Sequence, residues 1–374
     1  MMNRFTSSAG EVPRFRFVGI TYAGWSTRQS NLARNVASDD RIEGVFTDVT
    51  GWKENGLFER VGRRSAIAGK LRAGWEAKGL TDIVGADVIW TSAMSALLPY
   101  RMGPLARLPW PPVVGEFDWT VEQRESMADH YYDRPGATGD ALADMMATER
   151  RYLSHIDAFI PWSNWAADGL RRQGIDDERI HVVHPGLRLD DWAFVRREAP
   201  VDRPIRLLFV GGDFARKGGD LLIDAVTKLG SERFVLDVVT RDELTPPPGV
   251  AVHRCEPNTD ELRQRFIEAD IFVMPTRADC FGLVLVEAMA MGLPVIASDV
   301  GGVRDIVDDG VNGWCVQPSL DSVVAALENA EARAAELPEI GARGRSTAEE
   351  RFDGVRNDAR VVDIMLDLHR ERQA

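Results

Sequence analysis

The sequence predicts an α/β protein built as two doubly wound, parallel-sheet domains. Three observations predict it. Short β-rich apolar runs alternate with helical stretches. The alternation falls into two blocks, separated by a Pro- and charge-rich stretch at 186–204. The length, 374 residues, exceeds the usual single-domain size.

In the first block RFRFVGITY (14–22) reads as a strand and STRQSNLARNVAS as the helix after it. ADVIWTS (86–92) and PPVVGEF (111–117) read as buried strands, and GDALADMMATERRYLSHI (139–156) as a helix. DAFIPWS (157–163) is a strand, NWAADGLRRQG a helix, and RIHVVHPG (179–186) a strand stopped by Pro-Gly. The second block runs IRLLFVGG strand, GDLLIDAVTKLG helix, RFVLDVVT strand, VAVHRC strand, TDELRQRFIEA helix, DIFVMPT strand, LVLVEAMAMG helix, PVIASD strand. A last helix, 356–371, follows without a strand. No repeat or low-complexity tract interrupts the pattern.

Composition narrows the function. A formal net charge of −13 disfavours general nucleic-acid binding. The three cysteines, Cys255, Cys280 and Cys315, have no CxxC or His spacing for a metal and fit free thiols in a reducing compartment. The N-terminus lacks an apolar core of signal-peptide length, and no apolar run approaches membrane-span length. The expectation is a cytoplasmic protein. One segment opposes the acidic trend: 60–79 carries six Lys or Arg against Glu76, with Ile67, Leu71 and Trp75 on one helical face. It is either a surface helix packed on the core or a basic face for peripheral contact with anionic lipid or an anionic acceptor.

Two stretches carry the chemistry. In IFVMPTRADCFGLVLVEAMAMG (271–292) a buried strand ends at Pro275, a polar loop follows, and a helix begins near Gly282. The loop after such a strand is where doubly wound domains bind ligands. The helix start offers free N–H groups and partial positive charge to a phosphate, and Gly282 lets the ligand come close. Helical side chains lean toward the N-terminus, so Glu287 can reach back to accept hydrogen bonds from a ribose diol. Asp279 would be repelled by a phosphate and is better used on neutral sugar hydroxyls. A ligand with a sugar, phosphates and a ribose is a nucleotide sugar. In LLFVGGDFARKGGDLLIDA (207–225) a strand enters a Gly-rich turn: Gly211 and Gly212 permit close approach, and Arg216 and Lys217 can face a pyrophosphate. Taken alone this is also an ordinary strand–turn–helix connection, since it lacks GK[ST].

Together these stretches resemble the C-terminal domain of the family-4 retaining glycosyltransferases (glycosyl transferases group 1), of GT-B fold. The resemblance rests on MPTRAD-CFGLVLV-EAMAMGLPVIASDVGG, on IVDDGVNGWCV (306–316) after it, and on IPWSNWAADGLRRQGIDDERIHVVHPGL (160–187). It covers roughly 155–330 well and the earlier residues in outline. It implies two Rossmann-like domains around a cleft, an acceptor-side domain at 1–187 and a donor domain at 188–352, with a tail helix at 353–374 crossing back to the first. It implies donor-pyrophosphate contacts from Arg216 and Lys217, a donor-binding place for Thr276, and backbone contacts from Phe281, Gly282 and Leu283 to the phosphates or the donor sugar. Glu287 would bind the ribose, Asp279 the donor sugar, and Arg254 and Cys255 would lie near the base.

Two departures from the family pattern stand out. Asp279 replaces the usual Glu and is one methylene shorter. The family's His after an N-domain strand is missing from PPVVGEFDWTVEQ (111–123), where Asp118 stands instead, either in the active site or as a turn carboxylate ahead of the next helix. In the first loop, 21–31, Gly24 could admit phosphate or acceptor. The resemblance implies a metal-independent hexosyltransferase using a UDP- or GDP-sugar as co-substrate. The acceptor would be a glycan, a lipid-linked sugar or a small molecule, as in polysaccharide biosynthesis. The alternative is a catalytically weak nucleotide-sugar-binding protein. An oxidoreductase lacks support, because VGITYAGWS is not GxGxxG.

Overall fold

The structure, a computed structural model, describes residues 12–20, 24–49, 85–92 and 110–374. The basic segment 60–79, with Trp75, lies outside them.

The described residues form two parallel sheets. The first contains β1 (Arg14–Ile20), β2 (Glu43–Val49), β3 (Val88–Thr91), β4 (Val113–Phe117) and β5 (Ala158–Pro161), in the order β2-β1-β3-β4-β5. Its described helices are α1 (Gly24–Val36), α2 (Val121–Ser126), α3 (Ala128–Tyr132), α4 (Gly139–Leu153) and α5 (Asn164–Arg172). The second sheet contains β6 (Ile205–Val210), β7 (Phe234–Val239), β8 (Val250–His253), β9 (Ile271–Met274), β10 (Val295–Ser298) and β11 (Gly313–Val316), in the order β11-β10-β9-β6-β7-β8. Helices α6 (Gly219–Leu229), α7 (Asp260–Glu268), α8 (Leu283–Ala290), α9 (Leu320–Ala332) and α10 (Leu337–Arg351) complete this half, and α11 (Gly354–Gln373) ends the chain.

The central strands are mostly apolar because helices cover both faces of a parallel sheet. All four residues of β9 are buried, and its register sets Ile271 beside Leu207 and Phe272 beside Val295. The order of the second sheet reverses between β6 and β9, so a crevice opens at their carboxyl ends. Both chemistry-bearing stretches leave the sheet there.

Several expectations need correction. The 179–186 run is not a strand. It lies extended along β5 with a bridge at Ile180 and bonds from His181 N to Phe159 O and Val183 N to Pro161 O. Pro185 has no N–H to continue the ladder. Strands β2 and β11 and helices α9 and α10 were not expected. Helix α1 starts at Gly24, so residues 24–31 are its opening turns and not a loop. The last helix is longer than 356–371 at both ends.

The chain passes between the halves at two places that touch. Leu187 N donates to Phe352 O (2.9 Å) and Gly354 N to Leu187 O (2.8 Å). A Cβ on Gly186 would sit 2.5 Å from both Gly354 N and Phe352 O, so only glycine fits there. After this crossing α11 packs on α1. Asp358 accepts from Arg28 Nη1 (2.5 Å) and Asn35 Nδ2 (2.7 Å), and Asp363 pairs with Arg41 (2.6 Å).

Candidate active site

A cleft of about 1110 Å³ lies between the two halves, lined by residues of both. On the second-half wall, β6 delivers Gly211 and Gly212, then Arg216 and Lys217. The loop after β9 delivers Asp279 to Leu283, and α8 delivers Glu287. Gly282 has φ +96°, a left-handed conformation that an L side chain rarely adopts, and it turns the chain into α8 with the first amides of that helix toward the cleft. Thr276 was expected at this wall. It is instead fully buried behind it, donating to Ala278 O (3.0 Å) and Arg216 O (3.2 Å), and so ties the two loops together.

The charges on this wall are already organised. Lys217 Nζ is ion-paired with Asp279, whose other oxygen accepts from Phe281 N (3.3 Å). Burial opposes ionisation of Asp279, but Lys217 and Arg216 outweigh it and hold the carboxyl below the usual range. Arg216 donates from Nε to Asp213 (2.8 Å) and from Nη1 to Ala278 O (2.7 Å). Among the described residues Glu287 has no such partner within bonding range, and burial pushes its carboxyl up to about 8 against the partial pull of Lys217 and Arg263.

The first-half wall contains Trp25, Ser26, Thr27, Ser30, Asp118 and Trp119. Asp118 does not cap the next helix. Thr120 does so, in a reciprocal capping box with Gln123. Asp118 is therefore free to accept from Trp25 Nε1 (3.1 Å). Burial lifts its carboxyl to about 6, against hydrogen bonds that include the Trp25 indole and the Cys280 thiol. One layer deeper, Glu116 accepts from Trp90 Nε1 (2.9 Å), Trp162 Nε1 (2.6 Å) and Arg28 Nε (2.7 Å). Arg28 also holds Asp358, so α11 is tied through Arg28 to the strand that ends just before Asp118.

Besides the bond of the Cys280 thiol to Asp118, the described parts of the walls meet at Phe281 and at Tyr131. The Phe281 ring is buried against Trp162, His184 and Phe352, which leaves its backbone for the cleft. Tyr131, on α3, reaches the opposite wall: its hydroxyl is 3.3 Å from Cys280 Sγ and its ring lies 4.3 Å from the Arg216 guanidinium carbon. Burial keeps the Cys280 thiol protonated, and the carboxylates of Asp118 and Asp279 add to that.

Some expected residues lie elsewhere. Arg254 points outward at 64% side-chain exposure beside Glu243 (3.4 Å), while its neighbour Cys255 lines the cleft. A strand alternates its side chains, and the same alternation carries past the end of β8. Gly24 begins α1, and the cleft surface there starts at Trp25. The sequence reading missed Tyr131 and the Trp25 bond to Asp118. The doubled aromatic in MADHYYD, beside the basic-loop signature, was the available signal for the first. Among the described residues no three His, Cys, Asp or Glu side chains converge as metal ligands would.

The chain is similar to known proteins in sequence and in fold. The glycosyl transferases group 1 model matches residues 204–333, and the glycosyl transferase 4-like domain model matches 47–186. A D-inositol 3-phosphate glycosyltransferase of Xylanimonas cellulosilytica is 31% identical over 259 residues, 60% of this chain and 60% of that protein. One from Geodermatophilus obscurus is 32% identical over 280 residues, 66% of this chain and 60% of its own. The matched part thus spans about three fifths of the length of these relatives. In fold, the chain is similar to sucrose-phosphate synthase from Thermosynechococcus elongatus, with TM-score 0.72, 18% identity and coverage of 95% and 99% of the two chains. It is also similar to HepE of Anabaena solved with UDP, with TM-score 0.70, 16% identity and coverage of 95% and 100%. Both halves of the chain are matched by the family's own models, and the chain belongs to the group 1, family-4 glycosyltransferases of GT-B fold.

Proposed function

We propose that the chain transfers a hexosyl group from a UDP- or GDP-sugar to a hydroxyl of a glycan, lipid-linked or small-molecule acceptor, with retention at the anomeric carbon and without a metal. The observation that carries this reading is the convergence of both loops at the β6/β9 crevice on one wall of one cleft. The names of the D-inositol 3-phosphate glycosyltransferases and the UDP and UDP-glucose of the HepE structures support it.

In this reading the diphosphate lies across Arg216, Lys217 and the start of α8. Glu287 accepts from the ribose, and the acceptor faces Asp118. The bond from the anomeric carbon to the diphosphate oxygen breaks as the acceptor oxygen attacks from the same side, and the acceptor proton passes to the departing diphosphate. The barrier is charge build-up on that leaving group, which fixed cations and helix N–H groups stabilise without reorganising. Asp279 serves by holding Lys217 in place and by meeting the donor sugar's hydroxyls. Residues 1–187, 188–352 and 353–374 are the acceptor domain, the donor domain and the returning helix. The enzyme works at the cytoplasmic side, with 60–79 as its contact to a membrane.

Calorimetric titration of UDP, GDP and ADP tests the donor site. The expected result is saturable binding of one nucleotide, abolished in Lys217→Ala. Failure of all three to bind overturns the reading.

A further inference from the structure

Resting on the donor-site reading above, we propose that Tyr131 is a positioning residue of the donor site supplied by the opposite wall: it sets the Arg216 guanidinium edge-on to the incoming diphosphate.

A guanidinium has two flat faces and an edge of five N–H donors, and phosphate is recognised by the edge. The Tyr131 ring covers a face of Arg216 at 4.3 Å. Asp213 takes Nε and the Ala278 carbonyl takes Nη1. None of these three contacts engages Nη2. The plane of the group is therefore fixed from three directions, and part of its edge is left for a ligand.

Tyr131 is itself held in place. Trp119 packs edge-on against it with ring centres 4.9 Å apart, and its hydroxyl meets Cys280 Sγ. Helix α3 stops one residue later, at Tyr132, and Asp133 after it turns left-handed (φ 49°), so the ring stands at the tip of a short element instead of inside the core. Burial and the nearby Asp279 carboxylate raise the phenol's pKa, so the ring stays neutral and its face stays attractive to a cation.

Tyr131 and Arg216 belong to different halves of the molecule. One of the three contacts that align the arginine is thus made only while the walls are together, which couples closure of the cleft to readiness of the donor site.

The test is UDP, GDP and ADP titration of the full chain carrying Tyr131→Phe, Tyr131→Leu, Arg216→Ala or the Leu/Ala pair. For the nucleotide the wild type binds, Tyr131→Leu should weaken affinity roughly three- to thirty-fold, the range of a partly desolvated cation–π contact. Tyr131→Phe, which keeps the ring, should restore it to within about twofold, since only a weak hydroxyl–thiol contact is lost. Arg216→Ala should weaken binding, and Tyr131→Leu should add nothing in that background. A purely structural tyrosine would weaken both backgrounds alike. Tyr131→Met repeats the measurement should the leucine variant not fold. Unchanged or tighter binding in Tyr131→Leu, with binding still lost in Lys217→Ala, overturns the role of Tyr131 and leaves the donor site standing. Absence of binding by the wild type overturns both.

Discussion

The two walls of the cleft are built in different ways. The second-half wall is made by contiguous stretches: a strand ends, a loop turns, a helix begins, and Gly211 to Lys217 and Asp279 to Glu287 fall into place. The first-half wall is made by side chains that meet from far apart. Asp118 is held by Trp25, 93 residues earlier, and the Glu116 beneath it is tied through Arg28 to Asp358, 330 residues from that arginine. A wall made by backbone turns survives the loss of one side chain, whereas a wall made by a buried polar network depends on every member.

The sharpest way to break this contrast is Arg28→Ala. Arg28, Glu116 and Asp358 are each at least 98% buried. Removing the cation strands two carboxylates, and urea unfolding should show a loss of about 3–5 kcal/mol. A loss below about 1 kcal/mol would mean that water enters and the network is not what holds the wall. On the other wall, Lys217→Ala or Arg216→Ala should cut donor turnover by on the order of 10²–10³, equivalent to about 2.7–4 kcal/mol. Steady-state nucleotide release measures it, and a fall of less than about tenfold counts against the assigned role.

Gly282→Ala probes the backbone turn directly. A left-handed alanine costs about 1–2 kcal/mol, and the new methyl faces Leu285 Cδ1 at 3.1 Å, a flexible neighbour that can yield. Denaturant melts should report about that loss. An unchanged midpoint would show that the turn relaxes.

The smallest expected effect concerns pH. The folded-state pKa of Glu287 is raised from 4.5 to about 8, so the folded state binds the extra proton between those values. Folding stability therefore falls as pH rises through that window. Glu287→Gln should remove this slope and leave the variant more stable than the wild type above pH 8. The gap should be on the order of 1 kcal/mol once the carboxyl's partial exposure is allowed for. Parallel melts at pH 5 and pH 9 that differ equally for both proteins would contradict the shift.

The same contrast explains what could be read in advance. The central strands β6, β9 and β10 and the helix after Gly282 were legible because burial on both faces and turn chemistry leave their mark within a few residues. Edge strand β2 was not: Glu43, Gly44 and Asp48 are exposed, so EGVFTDV carries no clean apolar pattern. The run at 179–186 has the right composition for a strand but meets Pro185 where a ladder bond is needed. Arg254 and Cys255 were taken together although adjacent side chains in extended chain point opposite ways. Tyr131 and Trp25 act through partners that only the fold brings near, and no local pattern announces such pairs.

The meeting of Gly186 with Phe352 and Gly354 has a mechanical consequence. Both passages of the chain between the sheets are stitched together at one point by main-chain bonds. Bodies whose two connecting passages are bonded to each other swing about that point more easily than they slide past each other. A methyl group at position 186 would wedge that pin, and every rate that waits on opening or closing would register it together.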